Sequence, residues 1–184
     1  MVFAGDFEIK RGELMRTFTE EELKTILENH KHYLTQDCEN WKSMRADLSN
    51  ADLSDANLSN ANLRFADLSD ARNVPYISMV CPEEDEFIGW KKAQSHIIKL
   101  LIPSDAKRSS ATSRKCRCNK AKVLAIYTLD GKETGLTEIH SDYDKNFIYK
   151  VGETVEVTDF DENRWKECTT GIHFFINRQE DINY

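Results

Sequence analysis

The spacing of apolar positions changes three times along the chain. From Thr19 onward Leu23, Ile26, Leu27 and Leu34, with His30 among them, fall three and four residues apart, which lines one face of an α-helix. Thr19 opens that helix and Glu22 stands three residues on, the pairing of a capping box. Between Ala46 and Ala71 the period is five: Ala46, Ala51, Ala56, Ala61, Ala66 and Ala71 share one register, and Leu48, Leu53, Leu58, Leu63 and Leu68 share another. Neither a helix nor a strand repeats every five residues, so the spacing predicts a chain that turns a corner once per unit. From Phe87 onward, short apolar and β-branched runs predict strands at 87–90, 96–102, 123–128, 137–140, 147–151, 154–158 and 171–176. Turn signals such as Asp130-Gly131 and Val151-Gly152 separate them, and Asn177 with Glu180 predicts a last short helix.

The residues of the five-residue unit explain its geometry. Leu fills a narrow interior, Ala lets a corner close over it, and Asp47, Asp52, Asn57, Asn62 and Asp67 suit turns because their side chains bind nearby backbone. Arg64 and Phe65 interrupt the outer Ser-Asn and Ser-Asp series, and a ring on that outer face is expected to pack against another part of the chain. A small residue, then Asp or Asn, then Leu, then two polar positions resembles the unit of the pentapeptide-repeat family. That resemblance implies a right-handed quadrilateral β-helix with Ala and Leu inside. Five units make little more than one turn, about 5 to 6 Å at one strand spacing, which is too short to bury a core without stacking on something else. The Thr19 helix is the expected cap of an open end.

The expected fold is therefore α+β and mostly β. It comprises an N-terminal arm and capping helix at 1–45, the repeat coil at 46–75, an acidic linker at 76–86 and a compact antiparallel β-rich domain at 87–184. The segments CPEEDEFIGWKKA, KRSSATSRKCRCNKAKV, FIYKVGE and CTTGIHFFINRQEDINY follow the repeats in that order. The arrangement is similar to that of proteins of phages and prophages in which a few pentapeptide repeats precede a C-terminal domain of unknown function. It implies a viral accessory protein, and it supplies no activity and no assigned site.

Charge alters this picture more than overall composition does. The net charge is −7, yet Lys107, Arg108, Arg114, Lys115, Arg117, Lys120 and Lys122 follow one another with no acidic residue between them. An acidic body with one basic stretch can steer different partners to different faces. Ser109, Ser110, Thr112 and Ser113 lie within it, so a loop here would offer cations, hydroxyls and backbone amides to phosphates. Lys107, Arg108, Ser109, Arg114, Lys115, Arg117, Lys120 and Lys122 are the expected partner- or phosphate-binding residues. Against this stands a solvated loop paired with the acidic runs at 83–86 and 159–162.

Other chemistry is weaker. Cys116 and Cys118 are one residue apart, closer than the ligands of a shared structural zinc, and would need Cys168 or His173 as additions. A thiol and base could be drawn from Cys168 and His173 or from Cys81 and His96, but buried structural cysteines are the expectation. No catalytic residue, metal or cofactor is assigned. Asp47, Asp52, Asp55, Asp67 and Asp70 make only a small acidic face for imitation of DNA. Five scattered cysteines, no apolar run of membrane length and no signal peptide in MVFAGDFEIKRGEL lead to an expected location in the bacterial host cytosol, away from membranes. The expected function is a non-enzymatic interaction protein that binds and inhibits a bacterial host or defence protein, for instance a CRISPR nuclease. Nucleic acid is a further expected contact through 107–122, and self-association is expected through the coil end. The rival is an enzyme acting on a nucleotide or nucleic acid through the C-terminal domain.

Overall fold

The computed structural model describes residues 15–184, so the expected arm lies outside the described residues over 1–14. The chain divides into two units: residues up to Asn62 with Ala66–Pro75, and Leu63–Phe65 with Tyr76–Tyr184. The architecture is β-rich α+β, with antiparallel sheets.

In the first unit, helix α1 (Glu20–Thr35) begins where its sequence places the cap. The Glu22 amide donates to Thr19 Oγ1 at 3.2 Å and the Thr19 amide donates to Glu22 Oε2 at 2.8 Å. Gln36 ends the helix in the left-handed region. His30 is buried, stacks on Tyr33 and accepts the Ala46 amide at 3.1 Å, so it fixes the helix to the first repeat. Within the repeats Ala46, Leu48, Ala51, Leu53, Ala66 and Leu68 are buried. Asp47, Asp52, Asn57 and Asp67 each accept the amide of the serine two residues on, at 3.0 to 3.1 Å. Asn50, Asn60, Phe65 and Asp70, all at the fifth position, take positive φ. Those residues make the corners. Parallel bridges join Asp47 to Asp67 and Asp52 to Arg72, each four five-residue units apart, and Arg16 adds a rung on the far side of Ala51. 

The second unit is built on a hairpin. Strands β1 (Phe87–Ala93) and β2 (His96–Ile102) are joined through Gln94 and Ser95, both at positive φ, as a two-residue hairpin turn needs. Strand β5 (Lys120–Thr128) pairs with β2, and β8 (Thr154–Glu156) with β5, giving the order β1-β2-β5-β8. A second sheet has the order β3 (Arg108–Ser110), β4 (Cys116–Cys118), β9 (Ile172–Phe174), and β6 (Glu138–His140) pairs with β7 (Ile148–Lys150). Trp90 and Phe175 exchange backbone hydrogen bonds of 2.7 and 2.8 Å, linking the outer edge of β1 to the chain just beyond β9. Ile98, Leu100, Ile102, Val123, Ile126, Cys116, Cys118 and Phe174 lie in one core. Helix α2 (Arg178–Asn183) follows, capped by Asn177, whose side chain accepts the Gln179 amide at 2.8 Å.

Two expectations are corrected. The basic stretch is only partly a loop: β3, β4 and the start of β5 run through it, and the connection at 111–115 between β3 and β4 carries Arg114 and Lys115. The expected acidic tether around residues 76–86 is packed: Cys81 is buried, and the Val80 and Cys81 amides donate to Ser110 Oγ at 2.9 and 3.2 Å.

Candidate ligand cavity

The basic stretch spends most of its charge on its own chain. Arg108 donates to the carbonyls of Pro82, Glu84, Asp85, Pro103, Ser104 and Ala106 while lying over the Phe87 ring. Arg117, only 2% exposed, donates to the carbonyls of Asp161, Asn163 and Thr170 at 2.7 to 3.1 Å and covers Phe160. Arg114 is paired with Glu180, Lys107 with Glu162, and Lys120 with Asp105 at 2.6 Å. Ser109 is buried, with Oγ lacking a hydrogen bond among the described residues. Lys107 and Lys122 point to solvent. Backbone carbonyls are the natural sink for a buried guanidinium, since its planar fork reaches several at once.

Lys115 is different. It is buried and lines a cavity of about 570 Å³ together with Lys91, Lys92, Asp181, Cys168 and His173. Hydrogen bonds around it hold it in place: the Lys115 amide donates to Ser113 Oγ at 3.0 Å, Ser113 donates to Glu167, and the neighbouring Arg114 is paired with Glu180. Its ammonium lies 3.3 Å from Cys168 Sγ and 3.3 Å from Tyr184 Oη. Burial pulls the Lys115 pKa down, but those two hydrogen bonds outweigh it and the pKa is raised.

The depth of the cavity is set by β1 and α2. Lys91, 9% exposed, has its pKa lowered by burial, opposed chiefly by Asp181. Asp181, 4% exposed, is pushed up to about 7 by burial, which Lys91 and Lys92 only partly offset. No ion pair joins Lys91 to Asp181 among the described residues, and Asp181 Oδ2 has no hydrogen-bond donor. His173 Nε2 donates to the Glu167 carbonyl, 3.2 Å away, and burial, with Lys115 and Lys91 nearby, lowers its pKa to about 4, so at neutral pH the ring is uncharged. Phe147, Tyr149 and Phe175 supply apolar wall.

The cysteines sort by burial. Cys116 and Cys118 are in the core and their thiols are pushed far up, Cys116 first by its hydrogen bond with Cys81 and Cys118 by burial. Among the described residues neither gathers with two other Cys, His or carboxylate groups at metal-ligand spacing. Cys81 faces Cys116, whereas His96 binds the Gln94 carbonyl at 2.8 Å, so that candidate thiol and base serve different partners. Cys168 is exposed at the cavity beside His173, with Lys115 as its hydrogen-bond partner. The sequence offered Cys168 with His173 as a pair and Lys115 as a binding residue, but it carried no signal for Lys91, Lys92 or Asp181, because the lining comes from β1, β7, β9, α2 and the connections between strands.

Residues 77–181, more than half the chain, match a family of unknown function, DUF5758. The chain belongs to that family. Pentapeptide repeats match in eight copies over residues 44–72, immediately before it, so this is a pentapeptide-repeat protein with a C-terminal domain of unknown function. It is similar to an uncharacterized protein of Acanthamoeba polyphaga mimivirus, at 38% identity over 96 residues. The match covers 48% of this chain and 61% of that relative, so the chain spans about three fifths of the relative's length. No solved structure matches. No helix among the described residues is long and apolar enough to cross a membrane.

Proposed function

We propose that this DUF5758 protein is a viral-type accessory protein that acts by binding, and that partner binding depends on the cavity of its second unit. The observation that carries this reading is a 570 Å³ cavity lined by Lys91, Lys92 and Lys115 in which the buried Asp181 Oδ2 has no hydrogen-bond partner among the described residues. A buried polar atom left open in this way is costly unless something else completes it. The mimivirus relative supports the viral part of the reading. The repeat block serves as spacer: the four-unit offset of its bridges supports one turn of a right-handed quadrilateral β-helix, with α1 as its cap through His30. The partner is a host or defence protein held stoichiometrically and blocked, with the exposed Lys122, and Lys107 beside its Glu162 partner, attracting acidic or nucleic-acid surface.

Affinity capture from host lysate tests it, using wild type, Lys91→Met and a Lys107→Glu, Lys122→Glu double variant, with and without nuclease. One protein retained at a fixed ratio, resistant to nuclease and lost in Lys91→Met, is the expected result. Loss on nuclease treatment would make the chain a nucleic-acid binder, and equal retention by Lys91→Met would overturn the cavity. A second reading, catalysis at Cys168, is favoured by the ammonium of Lys115 at 3.3 Å from an exposed thiol. It predicts a partner altered at less than one equivalent of the protein, and a Cys168→Ser variant that leaves it unaltered.

A further inference from the structure

We propose that the cavity binds a free α-amino acid, its carboxylate on Lys91 and its ammonium on Asp181. The proposal rests on the reading above, in which partner binding depends on this cavity, and names the small ligand that the cavity itself holds. Lys91 on β1 and Asp181 on α2 line the same cavity, both more than nine-tenths buried, and each is the leading opposite charge acting on the other. Oppositely charged groups that face one another in a buried site normally close into an ion pair, because the interaction strengthens as water is excluded. These two do not close: among the described residues no ion pair joins them and Asp181 Oδ2 has no donor.

A donor and an acceptor held apart in one cavity select a ligand that carries both complements. A simple anion such as phosphate would suit Lys91 and Lys115 but would face Asp181, Asp142 and Asp159 in the same wall. A simple cation would meet the reverse problem at the three lysines. An α-amino acid places ammonium and carboxylate on one carbon and so satisfies both ends at once. Phe147, Tyr149 and Phe175 then provide an apolar wall for its side chain, and about 570 Å³ holds the largest of them with room left toward Cys168.

Calorimetric titration of the full chain with L-leucine and L-phenylalanine, their Nα-acetyl and carboxamide forms, and inorganic phosphate tests the assignment. Free amino acids are expected to bind, and blocking either end is expected to weaken binding at least about tenfold, since each block removes a charge-assisted hydrogen bond. Lys91→Met should erase the preference for free carboxylate over carboxamide. Asp181→Asn should erase the preference for free amine over acetyl. Blocked forms binding as well as free ones, phosphate binding better than either amino acid, or no binding of any free amino acid at millimolar concentration would overturn the assignment. The blocked ligands are tested on wild type, so a variant that fails to fold does not remove the test. If no amino acid binds while Lys91→Met still loses the captured partner, the ligand class falls and the binding reading stands. If Lys91→Met also retains the partner, both fall.

Discussion

Asp181 and His173 sit in the same cavity and titrate in opposite senses. Asp181, pushed up to about 7 by burial that Lys91 and Lys92 only partly offset, is protonated in the folded chain between about pH 4 and 7, where an unfolded one would be charged. Its folded state is therefore favoured below about pH 4 and progressively penalised as pH rises through 7. His173, lowered to about 4 by burial and by Lys115, Lys91 and Arg117, works the other way. Its stabilising effect is complete above pH 6.5 and is lost as pH falls through 4. The two slopes oppose one another between pH 4 and 6.5 in the wild type. Asp181→Asn should leave a melting temperature that rises across that interval relative to wild type, and His173→Gln one that falls from pH 4 to 7; parallel curves for all three proteins would refute the pairing. The sequence showed which side chains could titrate, but it did not show this opposition, because both shifts come from burial by residues distant in the chain. The basic run was legible in the same partial way: its charges were visible, but that Arg108 and Arg117 turn inward onto carbonyls was not, since carbonyls carry no sequence signature.

At the level of elements, local signals survived and non-local ones did not. Helix α1 starts at its predicted capping box, β2 covers its predicted residues 96–102, and the repeat shows its five-residue corners, because each is specified by residues a few positions apart. Strands β3 and β4 were missed: RSS and CRC look like solvated sequence, and only pairing with each other and with β9 makes them strands. The β1–β2 turn lacked an Asn-Gly or Asp-Gly signal and uses Gln94-Ser95 in its place. The two sheets approach closely at Gly89 on β1, where an added Cβ would stand 2.6 Å from the Phe174 ring, itself fully buried. Gly89→Ala should therefore cost about 1 to 3 kcal/mol by overpacking, measured as a fall in denaturation midpoint with unchanged slope. A neutral Gly89→Ala would mean that β9 can shift away from β1 at little cost.

For the whole molecule, the two units carry separate cores, one of repeat Ala and Leu with Leu23 and one centred on β2 and β5. The sequence marked that division, since the five-residue register fails near Arg72 and strand-like runs begin at Phe87. It could not mark the cavity, which needs β1 and α2 to meet. Lys92 Nζ donates to the Ile182 carbonyl at 3.1 Å across ninety residues of sequence, beside the Trp90–Phe175 bridge. Seen as kinetics, that clasp is a long loop closed by few bonds: its entropy is recovered only after the β1–β2–β5 hairpins are in place. Native-state hydrogen exchange should accordingly show the Phe175 and Tyr184 amides opening at lower free energy than those of β2 and β5; equal protection would refute it. The ligand site then has its own opening equilibrium. An occupant spanning β1 and α2 would slow release of the clasp, so binding would be recorded as a longer-lived closed state even where the fold itself is unchanged.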